Sequence, residues 1–337
     1  MEHIVSGRDL DSATMQTAMR EIMTGQATDA QIGGFLCAMR MKSESVPEIA
    51  AAAQVMRELA IQVPVDAELC AGLVDTCGTG GDASGLFNVS TACAFVVAAA
   101  GGHVAKHGNR SVSSKSGSSD LLDAAGIRVD TTPEQTAQCI RELGVGFMFA
   151  PAHHGAMKFA IGPRKELGIR TLFNIIGPLT NPAGARNQLM GVFNGHLCQP
   201  LAEVLRELGS HHVMVVHGDD GLDEMSISAP TQVAELKDGE VKLYKIVPED
   251  VGLQRGSLDA LRVDSAEQSL ALVRDVLAGE PGIASDMVAL NAGSALYVSG
   301  HAYDIASGVA LAKETLASGA AGRRLTELAE LTQAMTQ

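Results

Sequence analysis

Positive charge is scarce in this chain: 25 Lys and Arg stand against 39 Asp and Glu in 337 residues, a formal net charge of −14. Binding to a nucleic acid or an anionic membrane surface depends on neutralising phosphates with basic side chains, so this balance argues against both. Any phosphate must then be handled locally, by backbone amides, a few placed cations or a metal ion. A zinc-type or disulfide pattern is missing as well. The six cysteines (Cys37, Cys70, Cys77, Cys93, Cys139, Cys198) include no CxxC pair and sit mostly in apolar runs, which suits reduced core thiols. No stretch reaches the roughly 18 apolar residues that a bilayer-spanning helix needs, and "MEHIVSGRDLDS" has no apolar signal core. No repeat or low-complexity segment occurs. The expectation is a soluble, cytoplasmic protein. Apolar residues make up 46% of it, enough for a substantial core, and its length suits roughly two domains.

From Leu10 to Gln62 the sequence reads as helical. Asp11 or Ser12 opens one segment and Thr28 or Asp29 the next; "SVPE" then reads as a capping box with Ser45 as N-cap, Pro47 in the first turn and Glu48 at N3. Apolar residues recur at three- and four-residue spacing, as in Ile32, Phe35, Leu36, Met39 and Ile49, Ala52, Val55, Met56, Leu59. Such stripes serve as core, or as an interface between copies if the module is too thin to bury them alone. From Ala71 the pattern changes to short β-branched or apolar runs separated by helices and Gly-rich turns: "GLVDT", "FVVAAAGGHVAKHG", "GIRVD", "VGFMFA", "QLMGVF", "HHVMVVHG" and "VAEL". This alternation predicts an α/β fold with a mostly parallel sheet, whose ligands belong at the carboxyl ends of its strands. The expected division is a helical domain over 1–66, completed by part of 160–185, and an α/β domain over 71–337.

Four stretches carry chemistry, and each has a plainer reading. "DTCGTGGDASGLFNVST", Asp75 to Thr91, is either a tight strand-to-helix turn or a phosphate cradle, in which bare backbone lets amides converge on an anion at a helix N-terminus. "KHGNRSVSSKSGSSDLLDAAG", Lys106 to Gly126, wraps hydroxyls and amides around Lys106, Arg110 and Lys115, as a diphosphate requires, or is a solvated Ser/Gly linker. In "HGDDGLDEMS" the carboxylates of Asp219, Asp220, Asp223 and Glu224 form either a hard-cation site, best suited to magnesium, or a solvated acidic turn. "GPRKELGIRTLFNIIGPLTNPAG" is punctuated by Pro163, Gly177, Pro178 and Pro182 into a loop, a short helix and another loop. Arg164, before that short helix, holds a carboxylate bidentately or is a surface cation. No Ser-His-Asp or Cys-His nucleophile arrangement is evident.

In this order and at these intervals the four stretches resemble the anthranilate phosphoribosyltransferase family, over essentially the whole chain to "NAGSALYVSG". The most specific pieces are "CGTGGD", "NVST", "KHGNRSVSSKSGSSDLL", "RTLFNIIGPLTNPA" and "GLDEMS". The resemblance implies a small N-terminal helical domain with a larger α/β domain of the nucleoside phosphorylase and phosphoribosyltransferase type. It implies transfer of a phosphoribosyl group from phosphoribosyl diphosphate to the amine of anthranilate, in tryptophan biosynthesis, with Mg2+. The phosphoribosyl diphosphate residues it implies are Gly78, Gly81, Asp82, Leu86, Asn88, Val89, Ser90, Thr91, Lys106, His107, Gly108, Asn109, Arg110, Ser111, Val112, Ser113, Ser114 and Ser118. Gly78, Asn109 and Arg164 would meet anthranilate, and Ser90, Asp223 and Glu224 the metal. Leu86 departs from the family's usual threonine, which puts one hydroxyl contact in doubt. His153 and His154 line the acceptor entrance or are packed. A homodimer through the N-terminal helices and association with anthranilate synthase are the expected partnerships. A pyrimidine-nucleoside phosphorylase shares much of this pattern, but "GLDEMS" with "NPAG" fits it less well. A nucleic-acid-binding paralogue would need an extended basic surface, and a silent structural protein would have no use for both phosphate loops.

Overall fold

Asp11, Thr28 and Ser45 do open the three longer helices of the N-terminal module, Ser12–Met23, Asp29–Lys42 and Val46–Leu59. Asp11 accepts the Thr14 N–H, while Thr28 with Gln31 and Ser45 with Glu48 form capping boxes that satisfy orphan amides of the first turn. Glu48 is fully buried, and its carboxylate is balanced by Lys42 Nζ at 2.6 Å and the Leu10 N–H at 2.8 Å. The computed structural model describes residues 1–110 and 116–335. Ser111, Val112, Ser113 and Ser114, all expected at the diphosphate, therefore lie outside the described residues, as does Lys115.

The apolar stripes are core. Ile32, Phe35, Leu36 and Met39 pack with Ile49, Val55 and Met56 in one buried cluster. Ala160, Leu172, Phe173, Ile175, Ile176 and Leu179 join it, as do Val213 and Val215 of the sheet. The helical module is thus closed by a later segment of chain and by the sheet itself. Of the stripe residues Leu59, at the end of its helix, is exposed, and so are Val5, Met41, Phe159 and Ile161 nearby.

Seven strands form one sheet: β1 (Leu73–Gly78), β2 (His103–Gly108), β3 (Val145–Phe149), β4 (Asn187–Gly191), β5 (His212–Gly218), β6 (Thr231–Lys237) and β7 (Glu240–Ile246), in the order β3-β2-β1-β4-β5-β6-β7. The pairings from β3 across to β5 are parallel, and β6 and β7 are added antiparallel. "GIRVD" is not a strand: Ile127 and Val129 are buried from a loop between the helices Ser118–Ala124 and Pro133–Leu143. Two apolar residues two apart are satisfied by a loop as well as by a strand. The strand "EVKLYKI" is hidden to a hydrophobic pattern because it is a mostly exposed edge, protected by Lys242 and Lys245. Pro163 and Arg164 lie inside the helix Lys158–Leu167, not in a loop; Pro163 gives up one intrahelical bond and is buried.

The chain runs outward from β1 to β2 to β3 and then returns to place β4 on the other side of β1. The reversal opens a crevice at the carboxyl ends of β1 and β4, where α/β sheets bind their ligands. Pairing of β1 with β4 continues to the last residues, Gly78↔Gly191. Pairing of β1 with β2 covers only Leu73↔His103 and Val74↔Val104.

Candidate active site

The Gly-rich stretch leaves β1 at that crevice. Gly80, Gly81 and Gly85 take positive φ, as does Ala83, and the chain then enters the helix Val89–Ala99. Its first glycine has a further purpose. A Cβ on Gly78 would sit 3.0 Å from Asp223 Oδ2, and one on Gly191 would sit 1.6 Å from the Asp223 carbonyl oxygen. The acidic turn thus lies directly on the ends of β1 and β4, and only bare backbone lets it do so. Asn291, fully buried, braces the residue that follows: Oδ1 accepts the Met225 N–H at 2.9 Å and Nδ2 donates to the Met225 carbonyl at 2.9 Å.

Asp82, Asp223 and Glu224 face one another there. Burial, and then the charge of Asp82, pushes the Asp223 carboxyl up toward neutrality. Burial, and then Asp223, does the same to Glu224, with Lys106 opposing. Lys106 is itself buried and donates to the Thr76 carbonyl and, at 3.2 Å, to Ser90 Oγ. Carboxylates crowded against their own repulsion, beside a hydroxyl, are a hard oxygen donor set that a divalent cation would relax. No group of three or more His, Cys, Asp or Glu forms a cage among the described residues. Magnesium keeps water and takes few protein carboxylates alongside substrate phosphates, so a pair of carboxylates with a hydroxyl is donor set enough for it.

The other expected residues fall into distinct environments. Val89 and Thr91 are buried in the helix Val89–Ala99, so they present backbone rather than side chain. Asn88 is committed to the protein: its Oδ1 accepts Ser116 Oγ at 2.8 Å and Ser269 Oγ at 2.7 Å. Leu86 packs against the α/β core and bridges Arg262 through its backbone. The Gly81 carbonyl accepts from Arg170, whose guanidinium stacks over Phe193 at 4.2 Å. Gly108 abuts Ser118 Oγ at the start of the next helix. Arg110 pairs with Asp120 at 3.2 Å and Asp123 at 2.9 Å, and Asn109 is exposed.

Two imidazoles meet where β2 ends. The rings of His107 and His154 lie 5.1 Å apart, tilted by 56°, and both are buried. Burial first, then neighbouring imidazoles, pushes His107 well below its ordinary range; burial and then His153 takes His154 down to about 4. Both are neutral at physiological pH, and His107 Nε2 and His154 Nδ1 have no hydrogen-bond partner among the described residues. His153 is packed instead, its Nδ1 2.8 Å from the Ile61 carbonyl. Arg164 is half-buried over the Phe173 ring at 5.3 Å, and no hydrogen bond among the described residues joins it to Asn109 or Gly78.

Several residues at this site carry no signal that singles out their role, although Asp75, Arg170 and Asn181 stand inside the quoted stretches. Asp75, Asn181, Gln188 and Arg170 hold the loops in place through contacts between distant segments. Only Gly191 could have been flagged, since glycine inside a strand marks close backbone approach.

Residues 1–60 match the helical bundle domain of a glycosyl transferase family, and residues 71–322 match its a/b domain. A protein of Ectopseudomonas mendocina named anthranilate phosphoribosyltransferase is 61% identical over 341 residues, covering 100% of this chain and 97% of that protein. The crystal structure of anthranilate phosphoribosyltransferase from Thermus thermophilus is similar with a TM-score of 0.93 and 42% identity, over 99% of each chain. The Saccharomyces cerevisiae enzyme, solved in complex with PRPP and Mg, is similar with a TM-score of 0.88 and 25% identity, over 99% of this chain and 97% of that one.

Proposed function

The chain belongs to the anthranilate phosphoribosyltransferase family, and from that premise we propose that it transfers the phosphoribosyl group of phosphoribosyl diphosphate to the amine of anthranilate, releasing diphosphate, in tryptophan biosynthesis. The observation that carries the reading is the reversal of strand order, where the glycine loop and the acidic turn meet at the ends of β1 and β4 and two neutral imidazoles pack where the neighbouring β2 ends.

The amides after β1 and the N-terminus of the helix Val89–Ala99 offer a diphosphate aligned donors and a favourable dipole. Lys106 and Ser90 add a cation and a hydroxyl in the same place. Asp223 and Glu224, with Ser90, would hold magnesium, which when bound offsets the charge of the diphosphate. Neutral imidazoles at His107 and His154 and the guanidinium of Arg164 suit a flat, anionic aromatic acceptor. Displacement at the ribose C1 with inversion, through an oxocarbenium-like state, needs no protein nucleophile. Catalysis then rests on positioning, leaving-group stabilisation and exclusion of water.

The same reading places the enzyme in the cytoplasm as a homodimer through its helical module, where Val5 and Met41 are exposed. Association with anthranilate synthase rests on the resemblance alone. The test is an assay of purified protein with anthranilate, phosphoribosyl diphosphate and Mg2+, followed by loss of anthranilate fluorescence. No transfer, together with phosphorolysis of thymidine, would favour a pyrimidine-nucleoside phosphorylase instead.

A further inference from the structure

β1 and β2 stop pairing after Val74↔Val104, and beyond that point side chains replace the backbone ladder. Asp75 Oδ1 accepts the His107 N–H at 3.2 Å. Asp75 Oδ2 accepts Asn181 Nδ2 at 2.7 Å, and the same nitrogen donates to the Ala105 carbonyl at 2.9 Å. Asn181 Oδ1 in turn accepts the Ala183 N–H at 2.9 Å. Asp75 is 0% exposed and has no ion pair among the described residues. Burial raises its carboxyl to about 6, against the hydrogen bond of Asn181 and the charge of Lys106. An unpaired buried carboxylate is costly to keep where a passive strand would use an apolar residue.

What these bonds hold are two segments of the acceptor side. One is the end of β2, with His107 and then Asn109. The other is the loop 177–183, whose Thr180 Oγ1 lies 3.4 Å from His154 Nε2. Gln188 of β4 braces the same loop, donating to the Pro178 carbonyl at 2.7 Å, and Arg57 donates to the Leu179 carbonyl at 2.6 Å. The glycine loop and the acidic turn do not depend on this wedge, because they rest on β1 and β4, which stay paired to Gly78↔Gly191; Lys106, the donor-side cation on β2, is tied to β1 separately through the Thr76 carbonyl.

The geometry points to Asp75 and Asn181 as positioning residues for the acceptor: they set how far β1 and β2 separate, and so where His107 and the loop 177–183 stand, without touching substrate. This inference rests on the proposed function, and it assigns the pair to anthranilate use rather than to phosphoribosyl diphosphate.

Steady-state kinetics varying each substrate in turn, with a thermal melt of every variant, tests it. Asp75→Asn sets two buried amide donors against each other, so the anthranilate KM should rise roughly tenfold, within the range that a buried unsatisfied donor imposes. The phosphoribosyl diphosphate KM should stay within about twofold, the scale of an uncoupled site. The reciprocal double variant Asp75→Asn/Asn181→Asp restores a donor facing an acceptor, loses only the bond to Ala105, and should recover most of the anthranilate KM. Asn181→Ala, which leaves the strand untouched, should also raise the anthranilate KM selectively, and it carries the test if the Asp75 variant does not fold. Equal changes in both KM values, a lowered melting temperature with both KM values unchanged, or a double variant no better than the single one would each overturn the assignment. Lack of transfer by the unmodified enzyme would instead overturn the proposed function itself.

Discussion

Gly191→Ala is the sharpest perturbation that the site offers, because it adds one methyl group and nothing else. The added Cβ would lie 1.6 Å from the Asp223 carbonyl oxygen and 2.4 Å from its carbonyl carbon. Both are backbone atoms, so no side-chain rotation relieves the clash, and the contact must open to at least 3.0 Å before it is tolerable. Gly191 cannot retreat easily. It is paired with Gly78 and Val216 on either side, and its carbonyl accepts the Thr79 N–H at 2.9 Å. The acidic turn moves instead, against the brace of Asn291 on Met225. Overpacking of this kind costs about 1–3 kcal/mol, a drop of a few degrees in melting temperature for a chain of this size. The functional loss should be larger, since misplacing catalytic groups by about 1 Å costs on the order of 100-fold. The expected result is a fall in kcat/KM of about two orders of magnitude with a raised Mg2+ concentration for half-activation, read by anthranilate fluorescence across a magnesium titration. Gly162→Ala is the control, because a Cβ there meets nothing within 4 Å. If Gly191→Ala kept activity within about threefold of the parent at limiting magnesium, the acidic turn would not be held by the sheet end as described.

Arg164→Ala should weaken anthranilate use by roughly 1.5–3 kcal/mol, the worth of a charge-assisted contact, seen as a raised anthranilate KM with little change for phosphoribosyl diphosphate; equal loss for both would assign Arg164 to the architecture. Asp223→Asn with Glu224→Gln should raise the magnesium requirement and lower turnover while the fold persists. The same pair sets a pH dependence: burial, with the charge of Asp82 on Asp223 and of Asp223 on Glu224, holds both carboxyls above their ordinary range, so the metal-free folded enzyme keeps protons that the unfolded chain has released. Its stability should therefore fall as pH rises through neutrality. Urea unfolding in chelator at about pH 6.5 and about pH 8.5, above the range of the depressed imidazoles, should show that slope in the parent and a flatter one in the double variant. For the dimer, Val5→Lys with Met41→Lys should shift light scattering toward monomer without unfolding the module, because both side chains are exposed at 66% and 87%. A parent that is monomeric at micromolar concentration would defeat the assembly.

The readable parts of this molecule are those whose causes are local. Thr28 and Gln31, or Ser45 and Glu48, stand three residues apart, and their capping boxes follow from that spacing alone. The glycines of 78–85 likewise announce a loop that needs unusual φ. Where burial depends on a distant partner, the same rules fall short. Phe35 and Met39 read as a stripe of undecided use, since the residues that cover them include Ala160 and Phe173, far along the chain. Leu243 and Tyr244 do not alternate like a core strand because β7 buries so little of its length.

The site divides along the same line. Asp223 and Glu224 are visible as a charge pair, but what makes them unusual is the close approach of Gly78 and Gly191 beneath them, and no spacing rule links positions 191 and 223. Asp75 looks like an ordinary acidic residue at a strand, and Asn181 like part of a proline loop. They are 106 positions apart, and their meaning as a pair exists only once β1 and β2 separate. Local sequence therefore marks the groups that meet phosphate, because backbone conformation and charge are local properties. The groups that fix acceptor geometry are buried polar side chains answering one another across strands, and for those the fold itself is the signal.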